Sequence, residues 1–173
     1  MKRHFIIFLS TTALLLGAEP LVITKDSAAS FYRKFKRLTE EPRHVALLTA
    51  QLCSIPSKQL LDKEQAMTGP HTRVLVHIYA NPAAADAIAK NAAGFPAGSV
   101  IVKEKLGGDG KAVTGIGGMI KRPAGYDATN GNWEFFFYTP GGEFSTGKLA
   151  NCVDCHSGGK RDHVFRAWSL QSK

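Results

Sequence analysis

Ser99-Val100-Ile101-Val102-Lys103-Glu104-Lys105-Leu106, followed by Gly107-Gly108-Asp109-Gly110, is the stretch on which the fold turns. Val100 and Val102 fall on one side of an extended chain, and Ile101, Lys103 and Lys105 on the other, so the period is that of a strand. The Gly-Gly-Asp-Gly run is turn chemistry and predicts a hairpin to a second strand over 112–121. Residues 122–131 read as a loop. A further strand is expected over 133–138, with Trp133, Phe135 and Phe137 on one face and Glu134, Phe136 and Tyr138 on the other.

Upstream, residues 72–80 alternate in the same way. Val74, Val76 and Ile78 share one face, and Arg73, Leu75, His77 and Tyr79 the other. Asn81-Pro82 then marks a helix start, an N-cap followed by proline at the first helical position. The alanine-rich run 83–93 predicts the helix, with Gly94 as its stop. Residues 27–38 read as an earlier helix that Ser27 or Ser30 can cap, with Phe31, Phe35 and Leu38 on one face. A second helical stretch is expected over 45–52, and a mostly polar connection over 55–70. Downstream of the strands, 139–147 reads as a loop and 148–155 as a short helix. The fold class is therefore α+β: N-terminal helices, then a mainly antiparallel β-sheet, then a C-terminal helix.

That last helix carries Cys152-Val153-Asp154-Cys155-His156. C-x-x-C-H is the pattern of covalent c-type haem attachment. Two thiols three residues apart can each form a thioether to one vinyl group of a single macrocycle. The adjacent histidine, His156, then serves as the metal ligand on the iron axis. Its second ring nitrogen needs an acceptor such as a backbone carbonyl. Two other chemistries use paired cysteines. A zinc site needs four N/S ligands, and no second C-x-x-C or H-x-x-x-H pair accompanies this one. A redox C-x-x-C usually follows a strand of a βαβ unit, whereas Cys152 follows a glycine-rich loop. One haem c, held through Cys152 and Cys155, is the cofactor expected. Gly115, Gly117 and Gly118 in the 112–121 strand leave room for such a planar group to approach closely.

The first residues support this chemistry. Lys2, Arg3 and His4 form a basic start, 5–16 is an apolar run, and Leu16-Gly17-Ala18 ends in small residues, the pattern of a cleavable signal peptide. The apolar run is too short to span a bilayer. Bacterial c-type haem is attached outside the inner membrane, so a periplasmic location is expected. Loss of residues 1–18 from 173 leaves 155 residues, enough for one core. The domains expected are 1–18 as signal peptide, 19–68 as a helical segment and 69–168 as the haem-binding domain. Cys53, the third cysteine, has no disulfide partner left and reads as a small buried hydrophobe. The formal charge of +8 falls to +6 with Lys2 and Arg3 gone. No basic stripe is interleaved with aromatics, which argues against a nucleic-acid partner. Anionic membranes, an acidic redox partner protein or haem propionates suit the charge better.

Several stretches in order resemble the cytochrome P-460 family, which includes the cytochromes c′-beta. They are Gly69-Pro70-His71, Ile78-Tyr79-Ala80-Asn81, Phe95-Pro96-Ala97-Gly98 and Val102-Lys103-Glu104. Lys121-Arg122-Pro123, Gly131-Asn132-Trp133-Glu134-Phe135, Cys152 to His156 and Asp162-His163-Val164-Phe165 follow. The resemblance covers about residues 69–166. It implies a mainly β fold, one c-type haem on the motif histidine, an open distal position and commonly a homodimer. Enzymatic members oxidise hydroxylamine and carry a lysine joined to the haem edge; Lys103 looks like that position. Non-enzymatic relatives bind nitric oxide or carbon monoxide under a phenylalanine cap, for which Phe95 is the candidate.

Other residues are weighed on their own chemistry. Glu134 could accept protons during substrate oxidation, or be an ion-pair partner. His77 and Tyr79 could point at the distal side or be satisfied structural residues. Met119 could be a sixth ligand, as in electron-transfer cytochromes, or core. Lys160 and Arg161 could pair with propionates or be solvated. The small-molecule ligand that the resemblance implies is hydroxylamine or nitric oxide.

Overall fold

The alternating stretches do form strands, and each pairs with its neighbour in the chain. The computed structural model describes residues 20–46 and 73–165. Among them, β1 (Lys36–Arg37), β2 (Arg43–Ala46), β3 (Arg73–Ala80), β4 (Val100–Leu106), β5 (Val113–Lys121), β6 (Trp133–Tyr138) and β7 (Phe144–Gly147) make one antiparallel sheet. Its order is β1-β3-β4-β5-β6-β7, and β2 also pairs with β3, farther along the edge that β1 occupies. The predicted α+β class holds.

The register sorts the side chains into two faces. Ala80, Ile101, Met119, Phe135 and Gly147 stand opposite one another in one row across the sheet. Ile78, Lys103, Gly117, Phe137 and Ser145 form the next row on the same face. Two helices cover this face: α2 (Pro82–Ala89), through Ala84 and Ala87, and α3 (Ala150–Ser157), through Cys152 and Val153. The opposite face buries Val100, Val102, Ile116, Ile120 and Phe136 beneath the N-terminal segment, which contributes Ile23, Ala28 and Tyr32. The described residues thus form three layers, with the sheet in the middle.

Helix α2 starts as predicted. Asn81 Oδ1 accepts the backbone N–H of Ala84, and Pro82 occupies the first turn, where its missing N–H costs nothing. The helix ends earlier than expected, because Asn91 takes a left-handed conformation (φ 50°) and so terminates it ahead of Gly94.

The N-terminal helical prediction is corrected. Residues 27–38 break into α1 (Lys25–Ala28), a 3-10 turn (Phe31–Lys34) and strand β1. The exposed edge of β3 decides this: Leu38 N–H donates to Ile78 O at 2.8 Å, a bond that a continuous helix would forgo. The same edge takes Val45 and Ala46 into β2, where a helix was expected. The expected loop 139–147 ends in β7, because Phe144–Gly147 completes the free edge of β6. The signal peptide, Cys53, the 55–70 connection and the rest of the 45–52 helix lie outside the described residues.

Candidate functional site

Helix α3 places the thiols three positions apart and His156 immediately after them, one position short of its last residue. Cys152 and Cys155 are half-buried, and Cys152 packs against the core beside Leu149 and Val153. His156 Nδ1 lies 2.7 Å from the carbonyl oxygen of His163. A carbonyl only accepts, so Nδ1 carries the proton and donates it. In the neutral ring the lone pair is then on Nε2, the nitrogen left for a metal. The imidazole sits between Phe135 (ring centroids 5.1 Å apart) and Phe165 (5.6 Å).

The sheet face on the side of this helix is mainly apolar, with Lys103 and Lys105 among its residues and two glycines between them and Phe137. Gly115 and Gly117 alternate on β5 between Lys105 and Lys103 on one side and Phe137 on the other. A Cβ at Gly117 would meet nothing nearer than 3.8 Å. At Gly115 the missing Cβ would meet Lys105 Cδ at 3.5 Å and Phe137 Cε2 at 3.7 Å, so the two glycines form a lane without side chains of its own, flanked by those of Lys105 and Phe137, on the same face as the motif. Gly118 behaves differently. It points to the opposite face, and the ring of Phe136 lies where its Cβ would be. Only two of the three glycines can therefore serve a planar group on the motif side.

Of the sequence candidates, Lys103 comes to this face. It is half-buried and directly opposite Gly117 and Ile78. Met119 is in the core of the same face, 4% exposed. Phe95 is buried edge-on against Trp133 (5.5 Å), and its N–H donates to Asp162, close to the turn that holds His156.

Glu134 is not brought together with the motif. It alternates with Phe135 along β6, so it stands on the other face. There its carboxylate accepts from Arg122 Nε at 2.6 Å and from Thr146 Oγ1 at 2.7 Å. Burial works to raise its pKa, but the guanidinium and the hydroxyl outweigh it and hold the carboxyl below its usual value. Arg161 bonds Asn91, and Lys160 is exposed.

His77 and Tyr79 also occupy the face away from the motif helix, in a buried polar cluster. Tyr79 Oη donates to Glu104 at 3.2 Å, Tyr32 Oη donates to the same carboxylate, and His77 Nδ1 bonds Thr39 Oγ1 at 3.0 Å. Burial raises both tyrosine pKa values, and the Glu104 charge adds to it. Burial lowers that of His77, with Arg37 pushing the same way. A tyrosine ionising at about 10 when unfolded, but higher when folded, loses its proton more readily in the unfolded chain. Stability therefore falls as pH rises above about 10. For His77 the sign reverses: the unfolded chain binds a proton below about 6.5 that the folded one refuses, so stability falls as pH drops through that region. Urea midpoints measured across pH should show both limbs. Tyr32→Phe should flatten the alkaline limb, and an unchanged alkaline slope would show that Tyr32 does not titrate as described.

Sequence reasoning assigned no role to Asp162, Lys121 or the His163 carbonyl. The signal available was only that they lie in the Lys121-Arg122-Pro123 and Asp162-His163-Val164-Phe165 stretches. Among the described residues no three His, Cys, Asp or Glu side chains gather as a metal-binding group.

A C-x-x-C-H helix with an oriented histidine, laid over the apolar face of an antiparallel sheet, defines the class: a haem cytochrome built on a sheet rather than on a helical bundle. A family model, Cytochrome P460, matches residues 58–166, and the chain belongs to the cytochrome P460 family. No curated protein matches it.

Proposed function

We propose that this protein is an exported, periplasmic monohaem c-type cytochrome that binds or oxidises a small nitrogen compound, hydroxylamine or nitric oxide. The observation that carries the reading is the His156–His163 hydrogen bond beside Cys152 and Cys155. It leaves Nε2 as the ligating nitrogen on a helix that also offers both thiols. The residues fit a haem: two thiols at attachment spacing, one prepared imidazole, and a glycine lane in an apolar sheet face. When bound, the cofactor supplies an iron with one coordination position open to a small ligand.

The chain's own residues do the rest. Cys152 and Cys155 tether the group, and His156 holds the iron. Ile78, Met119 and Phe137 keep bulk water from the sheet side. Lys103, in register with Gly117, is the residue for a cross-link to the macrocycle edge, which would place the protein with the hydroxylamine-oxidising members. Glu134, paired with Arg122 on the far face, is given no role in this reading. The apolar character of the motif face favours a second reading, reversible capture of nitric oxide or carbon monoxide without turnover. Electron transfer through Met119 as a sixth ligand has less support, because that side chain is packed between Ile101 and Phe135. A homodimer and a redox partner protein belong to the proposal as well.

Mass spectrometry of tryptic peptides from holoprotein matured in a c-haem-competent host tests it. The haem mass is expected on the peptide containing Cys152 and Cys155. If the same species carries the Lys103 peptide, with cleavage after Lys103 blocked, hydroxylamine oxidation is the activity. If haem alone is attached, ligand capture is. Haem that washes out of the denatured chain overturns the reading.

A further inference from the structure

We propose that Asp162 is the positioning residue for the axial histidine: it holds the backbone turn whose carbonyl takes the His156 Nδ1 proton. The proposal rests on the reading of His156 as the iron ligand.

The turn that supplies the acceptor is not one the chain adopts readily. Asp162 (φ 52°) and His163 (φ 60°) are consecutive non-glycine residues in the left-handed region. Each such residue is strained relative to right-handed backbone, so the pair persists only where the surroundings over-determine it. Asp162 is where those surroundings converge. Its carboxylate accepts the Phe95 N–H at 2.7 Å and takes Lys121 Nζ on both oxygens, at 2.5 and 2.6 Å. Both side chains of that ion pair are 12% exposed, so water screens it little. The Asp162 carbonyl accepts Trp133 Nε1–H at 2.7 Å, and Lys121 Nζ lies 5.0 Å from the centroid of the same indole. One residue is thereby fastened to β5, to β6 and to the segment after α2.

Two glycines make room for the arrangement. A Cβ on Gly131, itself left-handed at φ 63°, would stand 2.7 Å from His163 Cδ2 and 2.8 Å from Asp162 Oδ1. A Cβ on Gly159 would stand 2.5 Å from the His163 carbonyl carbon. The turn can sit under His156 because neither position carries a side chain.

The consequence is chemical. A hydrogen bond from Nδ1 to a well-placed acceptor makes Nε2 a stronger donor to a metal and fixes the ring's rotation. With Asp162 truncated, the turn is released towards right-handed backbone conformations. The carbonyl then leaves its place, and His156 becomes a weaker, less oriented ligand.

The test uses haem-loaded protein and reads the ferrous iron–histidine stretching band by resonance Raman, with the midpoint potential alongside. Asp162→Ala is expected to lower the frequency of that band and to raise the potential, since a weaker donor favours ferrous iron. Asp162→Asn, which keeps an oxygen for Phe95 N–H but loses the charge facing Lys121, should show a smaller shift of the same sign. Where Asp162→Ala fails to fold, Asp162→Asn and Lys121→Met carry the same prediction. Folded, haem-loaded variants with the wild-type band and potential overturn it. A role confined to stability would lower the urea midpoint and leave both readouts unchanged. The parent reading fails separately: wild-type holoprotein would then lack an iron–histidine band that His156→Gly removes.

Discussion

Trp133→Ala is expected to lower the stability of the folded protein by about 3–5 kcal/mol, the range for truncating a fully buried tryptophan. Trp133 has no exposed surface, and its indole packs edge-on against Phe95. Two effects act together. The larger is the cavity, because the surrounding side chains belong to a sheet and two helices that cannot collapse far. The smaller is the lost Nε1–H bond to Asp162 O, worth on the order of 1 kcal/mol. Against a typical total of roughly 5–15 kcal/mol, the sum removes a large share of the margin. The urea midpoint of wild-type and variant holoprotein measures it. Trp133→Phe separates the two effects, since it fills much of the cavity while still deleting the N–H, and it should cost less than half as much. Equal losses in the two variants would show that the hydrogen bond dominates.

The double replacement Cys152→Ala, Cys155→Ala is expected to abolish retention of haem on the denatured chain while leaving the sheet folded. Both residues are half-buried at the rim of the core, so their truncation removes little packing. Haem-linked peroxidase staining after denaturing electrophoresis, with circular dichroism of the same preparation, separates the two effects. His156→Gly supplies the contrast. It leaves both thiols in place, so the stained band should persist while the axial-ligand spectrum changes. Staining that survives the double replacement would mean that the group is held elsewhere, for instance at Lys103.

Much of this architecture is legible locally. The strand at 133–138 alternates cleanly, and its predicted bounds are those observed. Asn81-Pro82 announces α2 because an N-cap and a first-turn proline act within one turn of chain. The C-x-x-C-H motif stands out by its spacing alone. What stays hidden depends on distant partners. Residues 31–38 have the apolar spacing of a helix, but the unpaired edge of β3 competes for them, and no local pattern reports a strand some forty residues downstream. β7 is invisible for the same reason: Phe144-Ser145-Thr146-Gly147 has the composition of a loop until β6 lies beside it. Glu134 reads as a carboxylate among aromatics, and only the fold shows Arg122 meeting it on the far side of the sheet. Asp162 is the clearest instance. Its side-chain partners lie 41 and 67 residues away in the chain, so nothing near it in sequence distinguishes it from a solvated aspartate.

From β3 to β7 every strand hydrogen-bonds to the strand next to it in the chain. Such a meander can zip up in order, since each new strand needs to find only its immediate predecessor. Helix α3, with Cys152 and Cys155, comes after the last of these strands. If the chain is exported amino end first, as proposed, the glycine-lined surface would be complete before the two thiols appear. Under that proposal, ligation of haem to Cys152 and Cys155 would be the closing event of biogenesis rather than the seed of folding.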